Sequence, residues 1–221
     1  MITNLVNLIP LVSSLFILAL GLFIFSKRYE FRLKSLFLLL CLTAFMWLFG
    51  TFMMLINREN EAVAIFWDRF IYLGVVFSPI LFYHFSVVYC RLLENWMVIK
   101  LGYILSFIFL ILSRTDYFVS GLFKYQWIVH SKAQIFHHFF MAFLLIYMFL
   151  CLLNFYRNYK NSAGILKTQG LYIFIPFLLF IIISIVAFLP AYGINIIYPV
   201  PYISGVIFST ILVYLIFIRM K

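Results

Sequence analysis

The chain has 221 residues, of which 67% are hydrophobic and 10% charged, with 29 Phe and 15 Tyr. Soluble domains run at about 45–50% apolar and about 25% charged, so a water-soluble globular fold is excluded and an integral membrane protein remains. The formal charge of +10 is not read as a nucleic-acid footprint, because the basic residues form no single patch and recur in small groups between apolar runs.

A helix rises 1.5 Å per residue and needs about 20 apolar residues to cross the hydrocarbon core. Seven segments meet that length, at roughly 5–26, 35–56, 70–90, 99–113, 135–156, 169–189 and 201–218. The runs are continuous rather than alternating, so barrel strands are not expected. The expected fold is therefore all-α, a polytopic seven-transmembrane-helix bundle forming one domain over 1–221.

The first span is no cleaved signal peptide. Its leading flank, "MITN", lacks positive charge, whereas the following "SKRYEFRLK" carries Lys27, Arg28, Arg32 and Lys34. If that side is cytoplasmic, it also holds Arg91, Lys100, Arg157, Lys160, Lys167, Arg219 and Lys221. Only Arg58, Arg69, Arg114, Lys124 and Lys132 then lie outside. This bias places the N-terminus outside and the C-terminus in the cytoplasm, and an odd number of spans requires opposite ends. The setting implied is a cell membrane crossed by several passes.

The third span, "WDRFIYLGVVFSPILFYHFSVVYC", is the most polar. Asp68, Tyr72, Val75, Pro79, Tyr83, Ser86 and Cys90 recur at spacings that keep them on one helix face. Lipid offers no hydrogen bonds, so this face is expected to line the bundle interior. Pro79 is a candidate kink, because it removes the amide that would bond the Val75 carbonyl. The polar groups read either as hydroxyls tying helices together or as an outward-opening ligand pocket containing Asp68, Tyr72 and Tyr83. His84 lies well inside the span, as a packing histidine or a ligand contact.

The fourth span is the shortest. The loop after it, Arg114 to Gln134, carries Trp127 among its Phe and Tyr residues and reads as an interfacial aromatic belt or a folded lid. The adjacent His137 and His138 at the start of the fifth span point to different faces and make a poor metal pair. Pro176 is expected to break the sixth span as Pro79 does the third. In the loop before the seventh, Pro190 and Gly193 end one helix while Pro199 and Pro201 begin the next. The apolar character of Ile194, Ile196, Ile197 and Tyr198 predicts that this loop packs on the helix ends as a cap. Tyr192 and Asn195 are its pocket candidates.

Other chemistry is sparse. The acids Glu30, Glu59, Glu61, Asp68, Glu94 and Asp116 all fall outside the apolar cores, which argues against an ion-coupled pump. Cys41, Cys90 and Cys151 form no CxxC and read as small apolar packing residues on the reducing side. No nucleophile–base pair, phosphate loop or metal cluster appears, so no catalytic, metal or cofactor-binding residues are expected.

Three stretches carry a family resemblance. The order "WDRFIYLGVVFSPILFYHF" in the third span, "LGYILSFIFLILSRTDYFVSG" from Leu101 to Gly121, and "FLPAYGINIIYPVPYISGVIFSTILVYLIFIRMK" from Phe188 onward resemble the N-terminal seven-helix sensory region of bacterial and archaeal histidine kinases. The resemblance is specific from Trp67 onward; the first two spans match only in hydropathy. It implies a signal-input module whose seventh helix leads to a cytoplasmic kinase or other output, in cis or trans, and which works as a homodimer. It supplies no ligand residues. The chain stops at Lys221 without a phosphoacceptor or ATP-binding part, so kinase activity is not assigned to these residues. The signal is an unidentified small molecule or a membrane-borne cue. The alternatives are a small-solute transporter or channel, which needs a polar path through the bundle, and a structural subunit of a membrane complex.

Overall fold

The computed structural model describes residues 2–93, 96–126, 128–196 and 199–219. Glu94, Trp127, Ile197, Tyr198 and Lys221, each given a place above, lie outside the described residues. The chain is 78% helical. Its helices are α1 (Ile2–Phe25), α2 (Phe31–Ile56), α3 (Glu61–Val75), α4 (Ser78–Tyr89), α5 (Trp96–Leu112), α6 (Ile135–Asn161), α7 (Gly164–Val186) and α8 (Val200–Leu212). α3 and α4 form one apolar pass, Glu61–Tyr89. Among the described residues six passes are long and apolar enough to cross a membrane, and α5, with 17 residues, is a shorter apolar helix.

The passes pack as a closed bundle. α1 lies on α2 and α8, α2 on α3 and α4, α4 on α6, and α7 between α6 and α8, while α5 leans on α4 and α6 from the periphery. α4 is the central element: Pro79 to Tyr83 and Phe85 to Val87 are all buried. Around it sits an aromatic cluster, with the Phe180 and Phe208 rings stacked at 4.1 Å and Phe177 edge-on to Phe208 at 4.8 Å. Large apolar side chains such as Ile104, Phe107 and Ile111 on α5 are exposed, as expected for a surface solvated by lipid.

Three features depart from the expectations. First, the third pass begins at Glu61, well before the apolar run. Asn60 caps α3 by accepting the Val63 amide at 3.3 Å. Asp68 consequently lies about two turns inside the helix and is fully buried, not on a flank. A search for apolar length stops at charge; helix propensity and capping do not. Second, Pro79 separates two helices outright. α3 ends at Val75 and α4 starts at Ser78, with Pro79 in its first turn. The Ser78 hydroxyl donates to the Val75 carbonyl at 2.8 Å and so replaces the amide that Pro79 lacks. Third, α7 runs unbroken through Pro176, so no helix boundary falls there.

The loop after α5 is a β-hairpin. β1 (Val119–Lys124) pairs antiparallel with β2 (Val129–Ala133). Val119, Val129 and Ser131 are buried, whereas Lys124 and Lys132 are exposed, the alternation of a half-buried sheet. The hairpin packs on α3 and on the single 3-10 turn Leu189–Tyr192, to which it is tied by the Tyr125 hydroxyl donating to the Pro190 carbonyl at 2.8 Å. Gly193 ends that turn with φ 85°. Beyond it Ile194 is exposed, so Pro190 and Ala191 form the packed part of the cap. At the opposite end α8 continues as a seven-residue π-helical stretch, Val213–Arg219.

Gly74 sets the α2–α3 contact. A Cβ there would sit 2.8 Å from the Thr43 carbonyl oxygen, and a backbone atom cannot swing aside as a side chain can. Gly74→Ala is expected to destabilise the bundle by about 1–3 kcal/mol, read as a lower Tm or unfolding midpoint in detergent; an unchanged midpoint would mean that the helices separate there at no cost.

Candidate functional site

Asp68 and Tyr72 stand on successive turns of α3 and point into the hairpin end of the bundle. The Ser131 hydroxyl of β2 donates to Asp68 Oδ2. His130, the preceding residue of β2, holds Nδ1 3.9 Å from Asp68 Oδ1. Oδ1 itself has no hydrogen-bond partner. The Tyr72 hydroxyl lies 2.9 Å from His137 Nε2, and His137 Nδ1 lies 2.8 Å from the Tyr192 hydroxyl. One imidazole thus joins α3, α6 and the 3-10 turn. Phe118 and Phe140 hold it edge-on, with centroids 5.3 and 5.8 Å away.

Below this polar layer is a cavity of about 100 Å³. Asp68, Tyr72 and His130 mark its hairpin end. Trp47, Thr51 and Met54 of α2, Val75, Ser78 and Phe82 of the third pass, Leu144 and Met148 of α6, Phe180 and Ser184 of α7, and Tyr202, Gly205, Phe208 and Leu212 of α8 form its walls. The lining is mostly apolar with a few convergent polar groups, the usual chemistry of a small-molecule site.

The candidate residues divide. Asp68 and Tyr72 line the cavity, and Tyr192 reaches Tyr72 through His137. Tyr83 turns away to Tyr147, with ring centroids 5.7 Å apart. His84 faces α5, where its Nδ1 lies 3.0 Å from the Tyr103 hydroxyl. Asn195 is exposed. The helix break explains the division: below it Ser78 and Phe82 take the cavity face, one position earlier than the Pro79 and Tyr83 expected from an unbroken helix. His137 is the residue that sequence reading passed over. Its signal was a helix face, not a metal pair, since His137, Phe140, Leu144 and Met148 recur at helical spacing.

Salt links hold the hairpin end together. Arg69 pairs with Asp116, Arg114 donates to the Arg69 carbonyl at 2.7 Å, and Lys124 approaches Glu59 at 3.6 Å. Apart from the mostly buried Arg69 these groups are exposed, so such pairs contribute little stability but link the hairpin end to α3. Among the described residues, no group of three His, Cys, Asp or Glu side chains is placed to hold a metal.

Residues 9–219 match the family described as the N-terminal 7TM region of histidine kinase. The chain belongs to that family. A search of curated proteins returns no match. The family and the run of apolar passes together make this 7TM region a multi-pass membrane protein of the sensor-input type.

The Tyr72–His137–Tyr192 chain is expected to act as a unit. Interhelical hydrogen bonds in membranes average about 0.6 kcal/mol each, so His137→Phe should cost about 1–2 kcal/mol by losing two. Tyr72→Phe combined with Tyr192→Phe should deviate from additivity by about 0.5 kcal/mol or more, measured by unfolding in detergent micelles. Strict additivity would show two independent bonds.

Proposed function

We propose that this chain is the signal-input module of a sensor kinase system in a prokaryotic plasma membrane. Its N-terminus and hairpin face outward, and its C-terminus faces the cytoplasm. A small molecule from outside or from the bilayer occupies the cavity beneath the hairpin, and α8 relays the event to a cytoplasmic output, in cis or trans, in a homodimer. One observation carries this reading: the cavity that begins at Asp68 is walled at its far side by α8 from Tyr202 to Leu212, the last pass of the chain. The π-helical stretch begins at the next residue, Val213. π turns within helices are frequent at functional sites, and here the register changes where α8 leaves the cavity.

The energetics are those of any two-state relay. A ligand shifts the bundle only by the difference in its affinity for two arrangements. Contacts between helices in lipid rest on packing and a few hydrogen bonds, so repacking α8 against Phe82 and Phe180 demands little.

Two measurements test the proposal. For orientation, a membrane-impermeant maleimide applied to intact cells is expected to label Lys124→Cys in the hairpin and to leave Lys160→Cys unlabelled until the cells are opened; the reverse pattern would invert the topology. For the relay, Gly205→Leu fills the cavity as an occupant does. Spin labels at exposed Phe31 and Ile218 of the chain in nanodiscs should then report a changed distance distribution by pulsed electron resonance. Superimposable distributions would refute coupling between the cavity and the end of α8.

A further inference from the structure

Among the described residues the cavity lining has one unsatisfied group, and its identity specifies what can bind. Asp68 is fully buried and supplies the only carboxylate among the described lining residues. Its Oδ2 is taken by Ser131, while Oδ1 is buried without a hydrogen-bond partner. The neighbouring cations do not complete it. His130 Nδ1 lies 3.9 Å away, outside hydrogen-bond range, and within 3.2 Å of the Ser131 carbonyl. Arg69 is engaged by Asp116. Buried polar atoms in native proteins nearly always find a partner, and an isolated buried carboxylate is costly. Oδ1 therefore marks the position of a donor supplied by something in the cavity.

The walls specify the rest of that occupant. From Asp68 the lining passes to Leu144, Met148, Phe180 and Phe208, whose apolar side chains offer an apolar body packing rather than hydrogen bonds. Gly205 is one of the lining residues of α8, and an added Cβ there would meet only Ile17 Cδ1, at 3.7 Å. One water needs roughly 10–15 Å³ of such space, and the cavity holds about 100 Å³. That is room for a short chain or a small ring.

We infer that the cavity binds a small amphiphile with a cationic N–H head, such as a protonated amine, seated on Asp68 Oδ1, and an apolar body directed toward Phe180 and Phe208. The inference rests on reading the cavity as the signal-receiving site and names the chemical class of the signal. An ammonium group donates to the free oxygen and compensates the buried charge at once, as charge-assisted hydrogen bonds do. An alcohol donates without compensating the charge, and a carboxylate is repelled.

The test uses the full chain in nanodiscs with 8-bromooctylamine, 8-bromooctanol and 8-bromooctanoate. The bromine quenches the fluorescence of Trp47 in the cavity wall, isolated by difference against Trp47→Phe. The amine is expected to quench saturably, with at least ten-fold weaker binding in Asp68→Asn and none in Gly205→Leu, and the carboxylate is expected to give no saturable signal. Unsaturable quenching by the amine, equal binding in Asp68→Asn, or alcohol or carboxylate binding as tightly as amine would overturn the inference. The comparison among the three probes on the unmodified chain decides the question even if Asp68→Asn does not fold. If the amine fails while Gly205→Leu still shifts the Phe31–Ile218 distances, the ligand class falls and the relay stands; if the amine binds and the distances stay fixed, the relay falls and the ligand class stands.

Discussion

The hairpin end of this 7TM region is organised around one carboxylate held away from water. Asp68 is placed inside the bundle by a helix that starts two turns earlier, and there lipid and apolar side chains offer it nothing. Among the described residues its direct hydrogen bonding comes from Ser131, which lies on a strand far along the chain. The hairpin must therefore fold back over α3 for the acid to be tolerated at all, because an unsatisfied buried polar group costs about 1–3 kcal/mol and more when charged. His130, the residue before Ser131, also lies beside the carboxylate, with Nδ1 3.9 Å from Oδ1. Through Tyr125 and Pro190 the same hairpin pins the 3-10 turn, and that turn carries Tyr192 to His137. Lid, turn and cavity are consequences of a single residue's solvation.

The rest of the bundle obeys the same scarcity of hydrogen-bond partners. A proline in the middle of a pass strips its preceding turn of an amide, and in hydrocarbon the freed carbonyl has no water to turn to. Ser78 satisfies it in place, so the third pass divides into α3 and α4 without an orphaned group at Val75. The division re-aims α4, which brings Ser78 and Phe82 onto the cavity and delivers Tyr83 and His84 to α6 and α5. Cys151 donates to the Phe82 carbonyl at 3.4 Å and Asn154 to the Ser86 hydroxyl at 2.9 Å, so α4 is tied to α6 by polar contacts as well as by packing.

Much of this architecture is legible in the sequence, and what is not has identifiable causes. The seven passes follow from hydropathy, since each backbone must satisfy itself within a helix once it enters lipid. The short α5 and the proline boundaries of α8 are likewise visible. Asp68 was placed on a flank because a hydropathy window treats charge as an end, whereas Asn60 and the helix-forming run from Glu61 carry α3 past it. Tyr83 leaves the cavity wall because the face expected of an unbroken helix does not continue through Pro79. The hairpin escaped notice because its period-two pattern spans only five or six residues per strand, bounded by aromatic residues that suit a membrane interface equally well. His137 was discounted beside His138 because adjacency was weighed as metal chemistry, when its partners, Tyr72 and Tyr192, lay 65 and 55 residues away.

The short fifth pass bears on the bilayer itself. Seventeen helical residues extend about 26 Å, against a hydrocarbon thickness near 30 Å. The lipid bordering α5 must thin to meet it, at fractions of a kcal/mol per Å of mismatch, while the lipid bordering the 26-residue α2 and the 27-residue α6 need not. The bundle therefore carries a strip of mismatched lipid along α5. A thicker membrane enlarges that mismatch and a thinner one relieves it.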